Sequence, residues 1–199
     1  MKVTHIVRAG VFALALASAS CGSVVRDGSG TSFLIVQRLE AASGAEPGEF
    51  GQTLFSDVLT VVDDVPTTFA DLARVTFALG LKDPGTSANP NTPTQNQAVT
   101  IERYHVRFFR ADGRNVQGVD VPYEFDGAFT VTVSGTADAN FQIVRHIAKY
   151  ESPLGGLVAD PRVITTIAEV TFFGRDQTGH EVSATGRITV NFGNFGDPD

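Results

Sequence analysis

The sequence predicts an all-β protein, an antiparallel β-sandwich of roughly eight strands. Three observations carry that expectation. Apolar and polar residues alternate in one segment after another, turn residues recur between those segments, and no stretch of about ten residues keeps a helical period. A strand that alternates with period two has one apolar face, and a second sheet must cover it.

The elements follow in order along the chain. Residues 33–39 (FLIVQRL) read as an apolar strand and 41–51 as an acidic, glycine-rich connection. Residues 54–62 (LFSDVLTVV) are β-branched and apolar, and Asp63-Asp64-Val65-Pro66 punctuates them. Ala73, Val75, Phe77, Leu79 and Leu81 alternate with Arg74, Thr76 and Ala78, which puts the first set on one face. Residues 82–97 (KDPGTSANPNTPTQNQ) contain three prolines and no large apolar side chain, so they form a long solvent loop outside the core.

In 98–109 (AVTIERYHVRFF) the apolar parity switches from Val99 and Ile101 to Tyr104, Val106 and Phe108, which calls for a β-bulge near Arg103. Asp112-Gly113 and Asp126-Gly127 read as turns, and Pro122 bars 117–125 from a sheet centre. Phe129, Val131 and Val133 then alternate with Thr130 and Thr132, and 141–147 (FQIVRHI) follows. Ile164, Ala168, Val170 and Phe172 form a hairpin through Thr178-Gly179 with Val182, Ala184, Ile188, Val190 and Phe192. The expected core includes Phe77, Val106, Phe129, Val170 and Val190, within one domain over 31–193 followed by a short tail, 194–199. This strand count and spacing resembles the immunoglobulin-like sandwiches of bacterial envelope proteins, of the kind without disulfide or tryptophan. A barrel is the alternative closure of the same pattern.

The start of the chain carries an address. Lys2 and Arg8 supply a basic region, 11–17 (VFALALA) a short apolar run, and Ser18-Ala19-Ser20 the small side chains a peptidase needs, so 1–20 reads as a signal peptide. The run is too short to cross a bilayer. Ala19-Ser20-Cys21 resembles the lipobox of bacterial lipoproteins, with Ser18 where that family usually has Leu. The resemblance implies lipidation of Cys21, the membrane as a partner through that lipid, and residence in the cell envelope. Gly22 lacks the aspartate that holds enteric relatives at the inner membrane, which implies the outer membrane, facing the periplasm or the cell surface. Residues 21–30 are then the anchor cysteine and a flexible, glycine-rich tether. One cysteine excludes an intrachain disulfide.

Composition narrows the function. Residues 1–20 contain Lys2, Arg8 and no acid, so the formal net charge of −7 becomes −9 after processing, and nucleic acid is not an expected partner. His105, His146 and His180 have no metal-ligand spacing, and Asp63, Asp64, Asp112, Asp120, Asp126, Asp138 and Asp176 match no calcium loop, so neither metal nor cofactor is expected. There is no nucleophile elbow and no glycine-rich phosphate loop. The one local feature with recognition character is Arg103, His105 and Arg107, a basic row on one strand parity and a candidate binding face for an acidic partner or an anionic glycan. The expectation is a non-catalytic, lipid-anchored envelope protein that binds an envelope protein or glycan. The alternative is an envelope hydrolase of glycosidase type using a pair among Glu102, Asp120, Glu124 and Glu169.

Overall fold

The computed structural model describes residues 30–196 of the 199. The expected signal peptide, the expected lipidation at Cys21, the expected tether up to residue 29 and residues 197–199 lie outside the described residues. Twelve strands are present: β1 (Ser32–Ala42), β2 (Thr53–Asp57), β3 (Thr60–Val62), β4 (Val65–Thr67), β5 (Asp71–Leu81), β6 (Gly85–Thr86), β7 (Asn89–Pro90), β8 (Val99–Phe109), β9 (Phe125–Val133), β10 (Thr136–Val144), β11 (Ile164–Asp176) and β12 (Glu181–Gly193). Eight of them build two sheets, in the orders β1-β5-β10 and β2-β12-β11-β8-β9. The rest form two short hairpins, β3-β4 and β6-β7.

The sheets face each other across one apolar layer. Phe77 of β5 meets Phe172 of β11 edge-on at 4.9 Å between ring centroids, and Phe141 of β10 meets the same ring at 5.3 Å. Phe77, Val106, Val170 and Val190 are fully buried, as alternation requires, while Phe129 is partly buried and packs against that core from β9. Aromatic edge-to-face contacts add to the burial of large rings, so Phe77 and Phe141 packed on Phe172 help to hold the two sheets together.

All pairings within the sheets are antiparallel except β2 with β12, which is parallel. The chain explains the exception. After β1 the segment 43–52 doubles back, held by paired Ala41 and Gly51 backbone bonds of 2.9 Å, and β2 sets off again in the direction of β1 and β12.

Other departures from the sequence pattern have local causes. The apolar run 54–62 is divided into β2 and β3, because Val58 turns inward to donate its N–H to the Gly193 carbonyl at 2.9 Å. Asp63 and Asp64 both adopt positive φ, 51° and 63°, and close β3-β4 as a two-residue hairpin turn. The pairing of β8 slips at Glu102, a bulge beside Arg103 that carries the parity switch. Asp126-Gly127 is not a turn but lies within β9. The Tyr104 ring lies over Gly127 and would collide with any Cβ there, so the glycine serves close approach instead of chain reversal. Residues 117–124 form a loop, and Ile147 falls in a 3-10 segment, His146–Lys149, beyond β10. The prolines of 82–97 do not leave the segment structureless: β6-β7 and a 3-10 turn at Gln95–Gln97 organise it, with nearly every side chain in solvent.

The registers define two ends. One, here the N-terminal end, gathers residue 30, the 82–97 excursion, the β9-β10 turn and the β11-β12 turn. The other, the loop end, gathers 43–52, 58–70, 110–124, 145–163 and 194–196.

Candidate functional site

Arg103, His105 and Arg107 do share the outer face of the five-stranded sheet, but the neighbouring strands answer each of them. The Arg103 guanidinium lies 4.1 Å from the centroid of the Phe173 ring. His105 contacts Asp126 at 3.1 Å and Glu124 at 3.7 Å. Arg107 and Arg187 both donate to Glu169, at 2.8 and 2.6 Å. Burial on its own would raise the Glu169 carboxyl, but Arg187 and Arg107 outweigh it and hold the group below its ordinary range. The row is thus a cross-strand set of ion pairs with one cation–π contact and not an open cationic strip. Such a set suits a solvated sheet face.

The other sequence candidates do not converge. Asp120 accepts the Val116 N–H at 3.1 Å, and Glu102 sits at the bulge in a shallow cavity of about 370 Å³ with Arg103, Arg175 and Glu181. Glu124 and Glu169 are occupied as described. Asp112 is fixed between Arg110 and Arg114, whose hydrogen bonds hold it far below its ordinary range. His180 packs on the Asp176 carboxylate at 3.1 Å. No group of three or more His, Cys, Asp or Glu side chains suited to a metal ion occurs among the described residues.

The chemistry that the sequence did not reveal lies at the loop end. Lys149 and Asp71 are sealed inside the protein, with side chains 1% and 0% exposed, and Lys149 Nζ stands 2.8 Å from Asp71 Oδ1. Nζ also donates to the Asp57 carbonyl at 2.7 Å. Asp71 is held further by the Gly44 N–H on Oδ1, 2.9 Å, and by the Ser56 hydroxyl on Oδ2, 2.5 Å. Asp57 in turn accepts from Thr60 Oγ1 at 2.9 Å and from the Phe195 N–H at 3.1 Å. Burial pushes the Asp71 carboxyl above its ordinary value although Lys149, Ser56 and Gly44 all pull it down. One cluster therefore ties together the 43–52 segment, β2, the start of β5, the 145–163 loop and the chain beyond β12.

Around this polar knot the surface is apolar. Of the thirteen large apolar side chains exposed among the described residues, only Ile35 belongs to the half nearer residue 30; the other twelve lie in the loops of the loop end or on the strand ends entering it. Val116 and Val119 project from 110–124, a loop braced by the Asp112 arginine pairs and by Arg110 N–H on Asn115 at 2.6 Å. Ile147, Tyr150, Val158 and Val163 project from 145–163, whose Leu154 and Leu157 are buried beneath. His146–Lys149 shows the division within one short segment: Ala148 and Lys149 point inward while Ile147 stays outside. Arg145 lies 4.8 Å over the Phe125 ring, and its buried Nε has no hydrogen-bond partner. Beside the knot a cleft of about 410 Å³ is lined by Pro47, Phe50, Phe69 and Leu72.

The chain matches no protein-family model, no curated protein and no solved structure. The fold defines the class as an all-β protein of sandwich type.

Proposed function

We propose that this is a non-catalytic, lipid-anchored protein of the cell envelope, built as an immunoglobulin-like sandwich, that holds a protein partner on its loop end while Cys21 secures it to the membrane. The observation that carries the reading is the uneven placement of exposed apolar side chains, twelve of thirteen toward the loop end. Apolar patches on a monomeric surface mark interaction sites when they are contiguous and framed by polar groups. Here the frame is Arg110, Arg114 and Arg162 with their acidic partners, around a cavity that also includes Val119 and Val163. Residue 30, where the chain leading from Cys21 enters the fold, lies at the end opposite this surface.

Two measurements test the two halves of the reading. Cys21→Ser should move the protein from the membrane fraction to the soluble fraction; sedimentation with membranes after a salt wash would contradict the anchor. Val119→Asp together with Tyr150→Asp should abolish recovery of the partner crosslinked to the natural protein in its own cells, while leaving thermal stability within about 0.5 kcal/mol. Turnover of glycan, ester or peptide substrates, lost on changing Glu102, Asp120, Glu124 or Glu169, would instead favour the hydrolase.

A further inference from the structure

We propose that Lys149 and Asp71 become joined as an intramolecular amide between Nζ and Cγ. The inference does not depend on the binding reading. Lysine is almost never buried to this degree, and both partners here are removed from solvent with Nζ 2.8 Å from Oδ1. The step begins with transfer of one Nζ proton to Oδ1 across that contact, which removes both charges of the desolvated pair. The upward push of burial on Asp71 works in the same direction. An amine in contact with an acid, in a site that excludes bulk water, is the reactant state of amide condensation, and its enclosure replaces a bimolecular encounter by a fixed one.

The surroundings supply what the step requires. The Nζ lone pair attacks Cγ and the N–C bond forms. Negative charge gathers on Oδ2, to which the Ser56 hydroxyl already donates at 2.5 Å. The second amine proton passes to the hydroxyl oxygen Oδ1, which Nζ faces at 2.8 Å. The Cγ–Oδ1 bond then breaks, and Oδ1 leaves as water. Amine and acid become a secondary amide and one water, with no oxidant and no co-reactant. The product carries no charge, which removes the cost of a desolvated ion pair, and its N–H keeps the Asp57 carbonyl as acceptor. The bond closes a loop between positions 78 residues apart, in a chain whose single cysteine cannot supply an internal disulfide.

Tryptic digestion of the denatured natural protein tests this directly, because the sequence places cleavage sites at Arg38, Arg74, Arg145, Lys149 and Arg162. The expected product is a branched peptide joining 39–74 to 146–162, uncut at Lys149 and lighter by one water than its two parts. Fragmentation should place the branch between Lys149 and Asp71. Release of separate 146–149 and 150–162 peptides in full yield, with 39–74 unattached, would overturn the proposal, as would a branch at any other pair. A Lys149→Arg chain digested in the same way should give no branched peptide whether or not it folds. If that chain still yields it, Lys149 is not the joined residue.

Discussion

The two ends of the sandwich solve the same problem in different ways. Each must satisfy the backbone where strands stop. The N-terminal end closes its β11-β12 turn with a local polar cap: Asp176 accepts from Thr178 N–H, Thr178 Oγ1 and His180 N–H at 2.9, 2.7 and 2.9 Å. The loop end relies on a long-range knot, with Lys149 reaching 92 residues back to the Asp57 carbonyl. The turns and the 82–97 excursion of the N-terminal end carry no exposed large apolar side chain among the described residues. A central knot frees the loops around it to carry Val116, Val119, Ile147 and Tyr150 outward. On the proposed reading, the first end closes the sandwich and the second carries the binding surface.

The largest way to break the comparison is to cut the knot. Asp71→Ala strands a buried lysine and should cost at least about 3–5 kcal/mol in denaturant unfolding. Removing the Phe77 ring from the layer shared by both ends, Phe77→Ala, should cost a similar amount, about 3–5 kcal/mol. At the N-terminal end the effects shrink. Asp176→Ala should cost about 1–2 kcal/mol at neutral pH, the range for a lost cap. Its sign with pH is fixed by the carboxyl: burial alone would raise it, but the Thr178 and His180 bonds outweigh burial and bring it down from 3.8 to about 2. The stabilisation is present above the unfolded value and is lost as pH falls through the folded one, so the difference between natural and variant proteins should close between pH 4 and 2. Removing β6-β7 and its turn, which touches neither the core nor the knot, should change stability least, by less than about 1 kcal/mol.

Much of the sandwich was legible in the sequence because period-two alternation is a local signal. Val99, Ile101, Tyr104, Val106 and Phe108 gave away both β8 and its bulge, and the β11-β12 hairpin followed from its alternation and Gly179. What stayed hidden was relational. Asp126-Gly127 has the letters of a turn, and only the Tyr104 ring across the sheet makes it strand. Arg103, His105 and Arg107 read as a basic row until Phe173, Asp126 and Glu169 arrive from neighbouring strands and Glu124 from the loop before β9. The start of β2 parallel to β12 needs the doubling back of 43–52, which no residue type announces. Lys149 is the strongest case. It stands in RHIAKYES among polar neighbours like any solvated lysine, and its partners Asp57 and Asp71 lie on other segments. The one available hint was a lysine directly after the apolar Ile147-Ala148, in a stretch with no alternation to expose it.

The central claim is that the loop end binds and the N-terminal end does not. A photo-crosslinking amino acid placed in turn at Val119, Tyr150, Asn91 and Thr178, all exposed, measures this in living cells of the native organism. The account predicts one discrete crosslinked protein from Val119 and Tyr150 and none from Asn91 and Thr178. The same protein captured equally from both ends, or from Asn91 and Thr178 alone, would contradict it.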